Sequence, residues 1–203
     1  WLENKGNFNF LKHDIEFSNG LDQGSWITGF NMDYADMNLD GRLDIISSVW
    51  PSSVYILYQP KYPYERWNIK KVGSIKPDRL VSVAVADIDN DGDQDIFSGS
   101  YSLGSRNKDD IDSSNKAYGS VVWFQNNSKS WKKHNILRRK RGMYDKWIPI
   151  DLDKDNDMDF IGTRGNSEPF DGVLWLEQLG YDYSQKVFFP ARKIDSKSVP
   201  FDD

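Results

Sequence analysis

The chain has 203 residues, of which 38% are hydrophobic and 14% aromatic, and its formal net charge is −5. That length can bury a sizeable core, and no apolar run approaches the roughly 20 residues of a membrane-spanning helix, so a membrane span in this chain is excluded. The chain has no cysteine, so disulfides indicate nothing about its compartment. No nucleic-acid partner is expected.

Three acidic segments, at 36–44, 87–95 and 151–159, share one pattern. Oxygen-bearing side chains stand at positions 1, 3, 5 and 9, and Gly or Asn stands at position 6, where the chain must turn sharply. Calcium takes about six to eight oxygen ligands, which alternate side chains and a main-chain carbonyl at position 7 can supply. The segments predict three Ca²⁺ sites, with carbonyls from Arg42, Asp93 and Asp157 and with these side chains: Asp36, Asn38, Asp40 and Asp44; Asp87, Asp89, Asp91 and Asp95; Asp151, Asp153, Asp155 and Asp159.

The first of these sites has one carboxylate fewer than the others, because its position 3 is Asn38. We therefore expect it to bind Ca²⁺ most weakly. Without metal, the carboxylates crowded into each loop repel one another. The metal is accordingly expected to be part of the fold.

An EF-hand is the alternative explanation for these loops, and two features argue against it. An EF-hand loop ends with a bidentate Glu at position 12 and lies between two helices. Position 12 here is Ser47, Ser98 or Gly162. The flanking segments 43–49 and 81–86 are rich in β-branched residues, which favours strands. The acidic loops are therefore predicted to connect neighbouring strands of a sheet.

Two further strand patterns recur with the loops. One is Trp-x-Glu or Trp-x-Gln, and we align its copies at Trp1, Trp123 and Trp175 with Leu57. The other is an aromatic residue followed five positions later by Ile or Val, and its aromatic recurs after 57, 64 and 58 residues; its copies start at Phe10, Trp67, Trp131 and Phe189. A period of this size with about four short strands per unit is typical of propeller blades.

The repeat predicts an all-β fold, a β-propeller of about three and a half four-stranded blades. Strand A precedes the acidic loop, strand B follows it, and strands C and D carry the two recurring patterns. The single domain 1–203 then divides into a partial blade at 1–15, full blades at 16–72, 73–136 and 137–194, and a tail or the start of a further blade at 195–203. Additional blades or another chain are expected to close the ring.

The acidic loop followed by the Trp-x-Glu-Asn strand resembles the FG-GAP/VCBS repeats of bacterial surface proteins and integrin-type propellers. Leu57 and Pro60 depart from that pattern in the first full blade. The resemblance implies a β-propeller with Ca²⁺ bound in the A–B hairpins. Calcium loops of this kind favour a calcium-rich setting, so we expect a secreted, cell-surface or periplasmic protein.

Two groups of charged residues outside the loops have ordinary structural explanations. His13 and His134 share a strand-D position with Lys70 and Arg192, which indicates a solvent-facing position rather than a catalytic one. The basic run 132–141 could bind an acidic partner, although a solvated rim is the favoured interpretation.

The connections between strands B and C differ in length, and unequal loops on one face are where repeat proteins carry function. The separation from the last Asp of the acidic loop to the strand-C position is 13 residues in the first full blade (Asp44 to Leu57), 28 in the second (Asp95 to Trp123) and 16 in the third (Asp159 to Trp175). The longest contains the polar segment 101–118. The resemblance implies that these loops lie opposite the calcium loops, and the predicted ligand-binding residues of that face are Trp50, Tyr101, Arg164 and Glu168. The alternative is that these are ordinary loop residues.

The function predicted from these features is a binding or scaffolding module for a protein or an acidic glycan. Eleven of the 31 acidic residues are proposed ligands, which leaves 20 acids against 26 bases elsewhere and favours an acidic partner. The alternative is a propeller-fold lyase or hydrolase acting on acidic polysaccharide. A lyase needs a base and a charge neutraliser in one cleft, and no His, Tyr or Lys outside the repeat pattern marks such a pair.

Overall fold

The structure is a computed structural model that describes residues 1–102, 118–139, 142–163, 172–179 and 191–193. In these residues the regular secondary structure consists of β-strands joined by turns and loops. Within these ranges there is no helix, and so none of the length and hydropathy needed to cross a membrane. The strands are β1 (Leu2–Asn4), β2 (Phe10–Lys12), β3 (Ile27–Ala35), β4 (Asp44–Val49), β5 (Ser53–Tyr58), β6 (Asn68–Ser74), β7 (Arg79–Ala86), β8 (Asp95–Tyr101), β9 (Gly119–Asn126), β10 (Trp131–Arg139), β11 (Trp147–Ile150), β12 (Asp159–Thr163), β13 (Val173–Leu176) and β14 (Ala191–Lys193).

These strands form four antiparallel sheets in which chain neighbours are also sheet neighbours. Strands β1 and β2 pair alone, and three four-stranded sheets follow with the orders β3-β4-β5-β6, β7-β8-β9-β10 and β11-β12-β13-β14. The predicted all-β class is confirmed. Each acidic segment joins the first and second strands of one four-stranded sheet, and its last Asp is the first residue of the second strand. All three segments therefore lie at corresponding ends of their sheets.

The core lies between successive four-stranded sheets. Ile56 of β5 and Val83 of β7 belong to one buried cluster, and Phe97 of β8 and Phe160 of β12 belong to another. The rings of Phe97 and Phe160 stack with centroids 3.7 Å apart. Strand β7 also contacts both β3 and β11, so the first strands of the three sheets are neighbours. The sheet β7–β10 thus contributes to both apolar clusters.

The strand register corrects one sequence alignment. The residue that follows the last Asp of each acidic loop pairs with Leu57 in the first four-stranded sheet, with Phe124 in the second and with Leu176 in the third. Aligning Leu57 with Trp123 was therefore wrong by one residue, and Ile56 takes the tryptophan position. The first five residues of β5 are all buried, so no alternation of apolar and polar residues defines its frame.

Candidate metal centres and ligand face

Each acidic loop has the same backbone conformation. Positions 4 and 6 adopt positive φ, which Gly adopts freely and Asn adopts more readily than other residues. The φ values are 59° and 84° at Leu39 and Gly41, 56° and 93° at Asn90 and Gly92, and 66° and 71° at Lys154 and Asn156. The loops therefore turn twice, which brings alternate side chains to one side.

Backbone N–H groups hold the first and fifth side chains of each loop. The Asp at position 1 accepts from the N–H groups of positions 5 and 6, at 3.0 and 2.7 Å for Asp36, 3.1 and 3.0 Å for Asp87, and 3.2 Å twice for Asp151. The Asp at position 5 accepts from the N–H of position 7 at 3.0–3.1 Å. These bonds fix the carboxylates, so a cation would meet oxygens already in place.

Two of the loops bring three carboxylates together. One oxygen from each residue of a triad lies within 4.8 Å of the others, and the triads are Asp87, Asp89 and Asp91, and Asp151, Asp153 and Asp155. Ligands at about 2.3–2.6 Å from one Ca²⁺ lie at most about 5 Å apart, so each triad fits a single ion. Among the described residues these are the two clusters of three or more possible metal-binding side chains.

The first loop is organised differently. The guanidinium of Arg42 forms an ion pair with Asp40, and its Nε donates to the carbonyl of Gln59 at 3.0 Å. The amide of Asn38 donates to the same Asp40 carboxylate at 2.9 Å. Asp40 therefore already faces a positive charge and an amide donor, both of which weaken the attraction of the loop for a metal ion.

The Asp at position 9 of each loop joins the loop to the third strand of its sheet. Asp44, Asp95 and Asp159 are fully buried. One carboxylate oxygen accepts a hydrogen bond from the backbone N–H of loop position 2, at 3.0–3.2 Å. The other oxygen accepts from a backbone N–H at the end of the third strand or just after it, at 2.6–2.9 Å. The donors of this second bond are Gln59, Asn126 and Gln178. These residues were predicted as metal ligands, and their second role in joining the loop to the third strand was not predicted, although their recurrence at the loop end is a signal for it.

Burial has a clear electrostatic consequence in the second loop. It raises the pKa of Asp95 to about 8, and burial together with the charges of Asp91 and Asp89 raises the pKa of Asp93 to about 6. A carboxylate oxygen that accepts one hydrogen bond still has a lone pair for a metal ion. A divalent cation would favour the charged forms and lower both values.

A family comparison identifies the repeat. A sequence model described as an FG-GAP-like repeat matches residues 36–98, from the start of the first acidic loop to β8, beyond the second loop. Residues 36–98 are therefore similar to an FG-GAP-like repeat. The predicted resemblance is confirmed over this segment. A search of curated proteins finds no significant match to the chain.

The second acidic loop, which lies within the matched segment, is supported by a series of side-chain contacts. Gln125 Nε2 donates to Asp89 at 2.6 Å, and His134 Nε2 lies 2.9 Å from Gln125 Oε1, to which it donates. The ring of His134 stacks on Trp123 with centroids 4.4 Å apart. Gln125 thereby orients a triad carboxylate, and His134 orients Gln125.

The histidine position is partly solvent-facing, since the equivalent Lys70 is exposed, but both histidines also make contacts that the sequence did not predict. His13 stacks on Trp1 and bonds Glu3 at 2.9 Å, as His134 does with its own tryptophan and glutamine. Both histidines are half-buried. The flat imidazole covers one face of the indole beside it; Trp123 is buried, whereas Trp1 remains 37% exposed.

We expect Gln125→Leu to lower the Ca²⁺ affinity of the second loop by about 10–100-fold, because it removes the donor that orients Asp89. Calorimetric titration of the variant measures this change, and the third loop serves as an internal control because Gln125 donates to the second loop. An unchanged affinity at the second loop would show that Asp89 needs no such support.

The described residues include part of the predicted ligand-binding face. Trp50 and Tyr101 line the same pocket. Arg164, Glu168 and the segment 103–117 lie outside the described residues. In the basic run, Arg138 is exposed and also pairs with the buried carboxylate of Asp78 through two bonds of 2.8 and 3.0 Å, so this rim residue has a structural contact as well.

Proposed function

We propose that the chain is part of a calcium-stabilised extracellular β-propeller that acts as a binding or scaffolding module for a protein or glycan partner. The observation that carries this proposal is the acidic loop, which recurs with the same hydrogen bonds between the first two strands of three successive sheets. The match to the FG-GAP-like repeat supports the same architecture.

Calcium would bind through the two carboxylate triads, with the first loop as a third and weaker site. Hard oxygen donors on a tight loop suit Ca²⁺, and Mg²⁺ prefers shorter distances and strict octahedral geometry. The ion pair between Arg42 and Asp40 is a further reason to expect the first loop to have the lowest Ca²⁺ affinity of the three. The bound ions would neutralise carboxylates that otherwise repel one another.

The propeller interpretation rests on how the sheets pack. Successive four-stranded antiparallel sheets share apolar clusters, and their first strands are neighbours, as the innermost strands of blades are. The ring would be completed by further blades or by another chain. Calcium-dependent folding suits the secreted, cell-surface or periplasmic setting that we propose.

We favour a binding function without catalytic activity. Both histidines of the chain are engaged in stacks and hydrogen bonds with neighbouring strands, so neither stands as a ready general base. The partner would bind the face opposite the acidic loops, where the strand ends carry exposed aromatic residues. The basic excess outside the loops favours an acidic partner by long-range attraction.

Retention on acidic polysaccharides tests this activity and separates it from a lyase. We expect electrophoresis through gels containing pectate, alginate or hyaluronan to show retardation in Ca²⁺ that is lost in EDTA. The same mixtures should gain no ultraviolet absorbance from unsaturated uronate products. Product formation would contradict a binding-only module and favour the lyase.

A further inference from the structure

A pocket of about 440 Å³ lies at the strand ends remote from the acidic loops. Trp26 and Trp50 flank the ends of β3 and β4, Tyr101 ends β8, and Asp145 precedes β11. The wall therefore combines residues from two four-stranded sheets with the segment that leads into the third. Its volume is within the range of about 300–1,000 Å³ typical of small-molecule sites.

One wall of the pocket is a preformed aromatic platform. The indoles of Trp26 and Trp50 stack with centroids 5.3 Å apart and planes inclined by 23°. The backbone N–H of Trp50 donates to the backbone carbonyl of Trp26 at 2.9 Å, so the two residues extend the pairing of β3 with β4. Arg79 places its guanidinium 4.4 Å from the ring centre of Trp50. Trp26 is stacked on Trp50, and 53% of it remains exposed.

Polar groups complete the lining. Thr28, Tyr101 and Asp145 carry hydroxyl or carboxylate oxygens at the pocket. Thr28 Oγ1 is held 2.7 Å from Ser48 Oγ, and Asn31 Nδ2 donates to the Asp145 carbonyl at 3.2 Å. The pocket therefore presents a flat apolar surface beside hydrogen-bonding groups, of which the Thr28 hydroxyl is held in place by Ser48.

This combination suits a sugar ring. A pyranose has an apolar face of C–H groups, which packs on an indole, and a rim of hydroxyls, which needs donors and acceptors. A flat protein surface would not fill a concave site of this size. Arg79 places a positive charge against Trp50, outside the lining, and the Asp145 carboxylate places a negative charge in the lining, so the two oppose each other and do not select a carboxylated sugar over a neutral one.

The geometry points to a glycan-binding site in which one pyranose ring stacks on Trp26 and bonds the polar groups of Thr28, Tyr101 and Asp145. The inference rests on the proposed function and adds the location of the site and the class of its ligand. Trp26, Thr28 and Asp145 are residues that the sequence analysis did not single out.

Titration with two trisaccharides tests the site. Cellotriose supplies neutral pyranoses and trigalacturonate supplies carboxylated ones, and saturation-transfer NMR with tryptophan fluorescence reports binding of each. We expect both trisaccharides to bind, Trp26→Ala to weaken their binding by about tenfold, and Trp26→Phe to weaken it less. Tyr64→Ala is the matched control, because Tyr64 is also exposed and stacked on a neighbouring ring, that of Tyr62, and does not line the pocket.

Three outcomes would overturn the inference: binding of neither trisaccharide, equal binding by wild type and Trp26→Ala, or a loss as large in Tyr64→Ala. Much tighter binding of one trisaccharide would instead show that the charge of Arg79 or that of Asp145 dominates, and it would keep the site. Melting temperatures in Ca²⁺ and in EDTA are measured for each variant. Calcium-dependent melting or polysaccharide retention that persists without trisaccharide binding would leave the proposed function standing and reject this pocket alone.

Discussion

Replacing Asp95 with alanine is expected to lower the free energy of unfolding of metal-free protein by about 2–6 kcal/mol near about pH 4, because it leaves two buried N–H donors unpaired at about 1–3 kcal/mol each. The loss becomes smaller as the pH rises, because burial raises the pKa of Asp95 to about 8 and the substitution also removes the cost of burying its charge. The donors are Ile88 and Asn126, at 3.2 and 2.6 Å from the carboxylate. Urea unfolding in EDTA measures the change without any contribution from bound metal.

Asp93→Ala is the matched control for this experiment. It removes a carboxylate from the same loop, but the Asp93 side chain contacts Ser128 at only 3.4 Å. We expect a much smaller change in unfolding free energy from this substitution. If Asp95→Ala in EDTA behaved like Asp93→Ala, the buried Asp would not join the loop to the third strand, and its position would be explained by metal binding alone.

Removal of calcium is the second change with a large expected effect. Two sites, each with free Ca²⁺ at about 100 times its Kd, would together stabilise the fold by about 5 kcal/mol, and EDTA should lower the Tm by about 10–20 °C. Scanning calorimetry with and without EDTA measures this difference. Mg²⁺ should restore less of the Tm than Ca²⁺ does, because it prefers a smaller and more regular site. An unchanged Tm in EDTA would contradict a structural role for the metal.

The sequence was most informative where one pattern recurs. Oxygen-bearing side chains at fixed positions predicted loops between strands, and the structure places all three loops between the first two strands of a sheet. It also brings positions 1, 3 and 5 together in two of them. Alternate residues of a tight turn are close in the chain, so their spacing in the sequence is enough to predict that their side chains lie close together.

What the sequence could not predict depends on contacts between distant residues. Asp40 meets Arg42 within its own loop, but the guanidinium is held by a carbonyl 17 residues further on. His134 reaches Asp89 only through Gln125, on another strand. The pocket joins Trp26 to Asp145 across several strands. Such groupings follow from strand register, which an evenly buried strand such as β5 does not reveal.

Calorimetric titration of metal-free protein with Ca²⁺ tests the central claim most directly. The account predicts two tight sites and a weaker third, with one tight site lost in Asp91→Ala and the other in Asp155→Ala, since each substitution breaks one carboxylate triad. The double variant should keep only the weak site. Absence of Ca²⁺ binding, or two tight sites that survive both substitutions, would contradict the assignment of the acidic loops as calcium sites.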